Sequence, residues 1–146
     1  MNPLKILLVT FAGLLVAQET QTPPGEPTHF RLTCLGNGGC VANFPTIPSD
    51  KRLWIRHVST RVRPAYGSIA WADAAIGARA DNHGCTFSSL YWVPLQPTGH
   101  PSGYFVANQP MHAFIDPDPK CASQILADAN GYIEADFTIT GYLTSK

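Results

Sequence analysis

The chain has 146 residues, which suits one domain with a modest core. Ten Lys and Arg balance ten Asp and Glu, so no net field draws the protein to nucleic acid or to an anionic membrane. No cofactor motif stands out, and none is expected.

Residues 1–5 form a short positive segment and residues 6–17 an apolar run, ended by Gln18, Glu19 and Thr20. This has the form of a secretory signal peptide cleaved after Ala17. The run is too short for a membrane span, which needs about 20 apolar residues. Cleavage removes Lys5 and leaves nine cationic residues against ten acidic ones. Residues 18–29 carry Pro23, Pro24 and Pro27 and read as a flexible leader before a single domain over residues 30–146.

Cys34, Cys40, Cys85 and Cys121 form an even set behind a signal peptide, which predicts two disulfides in an oxidising compartment, secreted or periplasmic. The glycine-rich 35–39 segment favours pairing Cys34 with Cys40 and Cys85 with Cys121. The spacings lack a C-x2-C pair, which argues against zinc.

Residues 30–34 and 40–44 read as an edge hairpin around that glycine segment. Residues 51–62, KRLWIRHVSTRV, form the longest strand-like run without Gly or Pro. Its apolar phase moves from Leu53 and Ile55 to Val58 and Val62, which predicts a bulge near His57 and Val58 in a long central strand. Further strands are predicted at 68–76, 87–95, 103–108, 111–115 and 121–127. Asn130-Gly131 carries a hairpin signal. In the last strand Ile133, Ala135, Phe137 and Ile139 share one face, and Tyr132, Glu134, Asp136, Thr138 and Thr140 the other. Eight or nine short strands among 13 Pro and 12 Gly predict an all-β, antiparallel β-sandwich, jelly-roll-like in topology.

Ile47-Pro48 before Lys51-Arg52-Leu53, then Ile55, His57-Val58-Ser59, Asn108-Gln109-Pro110 and the closing Gly141-Tyr142-Leu143 are a scattered set of short motifs. In these the chain resembles small secreted bacterial proteins of uncharacterised function. The resemblance covers roughly residues 45–143, implies a β-sandwich and transfers no catalytic residue.

Basic residues cluster at Lys51, Arg52, Arg56, Arg61 and Arg63, and acidic ones at Asp116, Asp118, Asp128, Glu134 and Asp136. A basic stripe could bind a polyanion, but cross-strand neutralisation of the two segments is the expectation. No G-x-S-x-G elbow occurs. His29, His57, His83, His100 and His112 show no metal-binding spacing, although ligands on separate strands could still converge. Glu134 and Asp136 lie two apart on one face, within the spacing of a glycosidase acid pair, yet a solvated face is the plainer reading. Asp128, Asn130 and Gly131 fail as an EF-hand loop, because its first and last positions would be Leu126 and Phe137.

Three function classes follow. The first is a non-catalytic binding or structural module. The second is a carbohydrate-binding module that stacks sugars on Trp54, Trp71 and Trp92, which requires these rings on one surface. The third is a small secreted hydrolase using Glu134 and Asp136 or a histidine-bound metal. The sequence names no ligand or partner; these classes would take a carbohydrate or another protein.

Overall fold

The computed structural model describes residues 25–78, 90–117 and 122–146. The segments predicted as signal peptide, with Cys85, Cys121, His83 and Asp118, lie outside them. Among the described residues there is no helix, and so none long and apolar enough to cross a membrane.

Seven strands form one antiparallel sheet, curled into a half-barrel: β1 (Glu26–Asn43), β2 (Lys51–Pro64), β3 (Ala72–Ala78), β4 (Leu90–Val93), β5 (Gln96–Pro97), β6 (Phe105–Ile115) and β7 (Ser123–Ser145). Four of them are longer than the short strands expected, with 18, 14, 11 and 23 residues in β1, β2, β6 and β7. β7 is the hub. It pairs with β1 along its length, with β3 through Ser123–Ala129, and with β2 through Ile133–Ser145. The sheet then continues from β3 to β4, and from β2 through β6 to β5.

Three predicted breaks turn out to be bends within continuous strands. Residues 35–39 do not join a hairpin. They form an irregularity in β1 between Asn37 and Gly39, where Gly38 has a φ of 74° that glycine alone adopts at little cost. Cys34 and Cys40 flank it, with Cα atoms 5.5 Å apart and a disulfide between them. Six steps of straight strand would separate them by about 20 Å, so β1 bends sharply here.

Asn130-Gly131 is the matching corner of β7. A two-residue type I′ hairpin needs positive φ at both central residues, and neither has it. Instead the Asn130 side chain accepts hydrogen bonds from the backbone N–H groups of Ala70 and Trp71, at 2.7 and 3.2 Å. Pro110 likewise lies inside β6 and does not divide it. From Ala107 to Ile115 β6 has β2 on one side and no other strand partner among the described residues, and an edge strand tolerates a residue without an N–H. The same logic admits Pro27: β1 starts at Glu26, within the stretch read as leader, and pairs only with β7.

The predicted bulge in β2 is present, between Ile55 and His57. From Ile55 to Val58 the partners on β6 run from Ala113 to Gln109, and those on β7 from Gly141 to Ile139. Each strand from β7 to β6 thus takes one more residue across the same line, so the sheet fans and curls there.

The bends bring the limbs of the sheet face to face. Leu53, Ile55, Val58 and Val62 from β2, Ile76 from β3, and Ile125, Ile133, Phe137 and Ile139 from β7 are fully buried between them. Alternate positions point outward, and it is the outer face that carries the candidate site.

Candidate binding face on the outer side of the long limb

Because the pairing is in register, the outward residues of β1, β7, β2 and β6 form cross-strand rows. One row is largely aromatic, with Tyr142, Trp54 and Phe114 following Pro27. The next holds His29, Thr140, His57 and Pro110, and the third holds Arg31, Thr138, Ser59 and Asn108. Two charged rows follow, Thr33 with Asp136 and Arg61, then Leu35 with Glu134 and Arg63.

In the aromatic row the half-buried Trp54 ring stacks on Phe114, with centroids 5.6 Å apart and an 18° tilt, and Tyr142 and His112 lie at 6.4 and 6.3 Å. Two guanidinium groups cover this row: Arg56 lies 4.6 Å from the Trp54 centroid and Arg52 5.4 Å from Phe114. Both are within cation–π range. Arg56 is the residue that β2 carries in excess of β7 at the bulge, which places its side chain between the first and second rows.

Three of the acidic residues, Asp116, Glu134 and Asp136, are committed to arginines, in line with the expected cross-strand neutralisation, whereas Asp128 makes no ion pair with a described residue. Arg52 grips Asp116 with two hydrogen bonds of 2.9 and 2.8 Å. Arg61 donates twice to Asp136, at 3.2 and 2.6 Å, and Arg63 to Glu134 at 2.5 Å. The hydrogen bond to Asp116, and then its charge, holds Arg52 above the usual arginine pKa, and Glu134 does the same for Arg63. These cations keep their charge at any physiological pH. Glu134 and Asp136, the pair weighed for hydrolysis, each face an arginine directly opposite on β2.

Two grooves open on this face. The first, of about 350 Å³, lies at the bulge between Pro27, His29, Arg56, Thr140 and Tyr142. The second, of about 370 Å³, lies toward the corner among Leu35, Arg63, Tyr66, Tyr104, Tyr132 and Glu134. Two exposed hydrophobic side chains line it, Tyr66 at 77% and Leu35 at 58%. The Tyr66 and Tyr132 rings are 5.5 Å apart, while Tyr104 stacks flat on His100 at 4.2 Å.

Trp54 lies apart from Trp92. Trp54 stands opposite Tyr142 near one end of β7, whereas exposed Trp92 (60%) pairs with Ala75, whose other partner is Leu126 near the opposite end. Trp71 is also exposed, ahead of β3. No ring pair among the described residues joins two tryptophans. The tyrosine groove was not legible in the sequence: Tyr66 lies in a turn, Tyr104 in a segment read as strand that precedes β6, and only the assembled sheet brings both beside Tyr132 and Leu35. Among the described residues no three His, Cys, Asp or Glu side chains converge as a metal site would require.

No known protein family matches the chain, and no curated protein matches it either.

Proposed function

We propose that this protein is an exported, non-catalytic binding module, of the kind suggested by its resemblance to small secreted bacterial β-sandwich proteins. The signal-like residues 1–17 and the Cys34–Cys40 disulfide support a secreted or periplasmic location. In this reading the half-barrel is a variant of the expected sandwich, with its two limbs facing each other across one core. One observation carries the binding role: the outer face of the long limb holds two grooves flanked by aromatic rings, while Asp116, Glu134 and Asp136 are neutralised by arginines. Such a face offers stacking and fixed hydrogen-bonding groups, and gives a hydrolase no uncommitted acid pair there.

The ligand class that suits it is a saccharide. Tyr66 and Tyr132 present ring faces and hydroxyls, and the Arg63–Glu134 pair fixes a donor and an acceptor beside them. A panel of soluble oligosaccharides and insoluble polysaccharides, read with wild type, Tyr66→Ala and Trp92→Ala, tests this. Saturable binding lost in Tyr66→Ala and kept in Trp92→Ala places the ligand in the tyrosine groove. Loss in Trp92→Ala alone moves it to the tryptophan surface, and the absence of binding throughout removes the saccharide.

A further inference from the structure

Four of the basic side chains on β2, Lys51, Arg52, Arg61 and Arg63, have a carboxylate partner. Arg56 has none, and donates no hydrogen bond to any described residue. Its guanidinium carbon lies over the Trp54 ring, 4.6 Å from the centroid, within cation–π range. That contact consumes none of the five N–H donors of the group. Arg56 lines a groove of about 350 Å³, where His29 and the hydroxyl-bearing Thr28 and Thr140 are further polar lining groups and Tyr142 supplies an aromatic wall.

Across the three rows from Pro27–Phe114 to Arg31–Asn108 there is no carboxylate, and Arg31 stands among them. The acids that flank these rows, Glu26, Asp116 and Asp136, are already paired with Lys51, Arg52 and Arg61. A cation with no carboxylate partner among the described residues, held over an aromatic ring in a groove lined by no acid, has the form of an oxyanion receptor: little ordering entropy remains to be lost when the anion arrives.

We infer that the groove at the β2 bulge binds the sulfate or carboxylate group of an acidic saccharide, with the Arg56 guanidinium as its principal donor and the Tyr142 ring beside the sugar. The inference deepens the reading above, on which the saccharide part rests; the oxyanion part stands on Arg56 and the groove alone. Arg56 arises from the bulge itself, since without the extra residue β2 would place no side chain between the two rows.

The test titrates the purified protein with a sulfated heparin hexasaccharide, an oligogalacturonate, a neutral cello-oligosaccharide of similar length and inorganic sulfate, following tryptophan fluorescence because Trp54 touches Arg56. The acidic oligomers are expected to bind, and to weaken as sodium chloride is added. Arg56→Ala is expected to lower their affinity roughly ten- to a hundredfold, the range for a hydrogen bond to a charged group. Arg56→Lys, which keeps the charge without the planar fork, falls between. Circular dichroism confirms that each variant is folded. Equal affinity in wild type and Arg56→Ala, or no acidic oligomer binding at all, overturns the inference. Neutral binding alone leaves the saccharide reading and removes the oxyanion. Inorganic sulfate binding as tightly as the oligomers, and lost in Arg56→Ala, keeps the oxyanion and removes the saccharide.

Discussion

The ring of Phe30 meets the ring of Phe44 edge-on, with centroids 6.0 Å apart and planes at 87°. One stands near the start of β1 and the other just past its end, about 45 Å apart had the strand been straight. The contact exists only because β1 and β7 bend together, and it closes the core where the limbs meet. Phe44 is buried and Phe30 partly so. Phe44→Ala is expected to cost about 3 kcal/mol and Phe30→Ala less. A double-mutant cycle by urea unfolding should return a coupling of about 1 kcal/mol; additive losses would mean that the rings do not support each other.

Gly141 lies directly against the backbone carbonyl of Trp54, closer than any Cβ could approach. It faces Ile55 at the bulge, where β7 runs short against β2. Gly141→Ala must push the two strands apart and is expected to destabilise by about 2–3 kcal/mol. Gly38 has open space around it and only the backbone preference to satisfy, so Gly38→Ala should cost about 1 kcal/mol. The reverse order of melting temperatures would contradict this account of the bulge.

Thr60 points inward between Ala107 and Phe137, is 2% exposed, and its hydroxyl has no partner among the described residues. Valine has the same shape without a buried oxygen to desolvate. Thr60→Val is therefore expected to stabilise the fold by about 1 kcal/mol, raising the urea midpoint. A lowered midpoint would show that the hydroxyl finds an acceptor.

The Cys34–Cys40 bridge closes a short loop, of sequence separation 6. On the chain-entropy account its removal costs about 2 kcal/mol. The Cys34→Ser, Cys40→Ser double variant should lose about that much in denaturant unfolding. Amide exchange should quicken first at Gly36–Ala42 and at its partners Ala127 and Asp128, since the bridge staples the bend. Unchanged exchange there would mean that β7 alone holds the corner.

Much of this architecture is written locally. The alternation of Ile133, Ala135, Phe137 and Ile139, the phase shift between Ile55 and Val58, and the opposite charges of Arg61 and Arg63 against Asp136 and Glu134 follow from the period of two along a strand. Each can be read from neighbours in the chain, and each is present in the sheet. The elements misjudged share a different origin. Gly38-Gly39, Pro110 and Asn130-Gly131 are turn or breaker signals in sequence, yet at each one the chain runs on.

Whether such a residue ends a strand or bends it depends on what lies beside it. Asn130 makes a corner because Ala70 and Trp71 bring two N–H groups to its side chain, and Pro110 is accepted because one side of β6 has no strand partner among the described residues along that stretch. Those neighbours are distant in sequence, and only the assembled sheet supplies them. The same holds for the binding face. The sequence by itself determined that β2 carries five cations and that the last strand offers acids; tertiary structure decided which cations those acids neutralise. It thereby left Arg56 uncompensated above Trp54, because pairing depends on register across strands and register is set by the bulge.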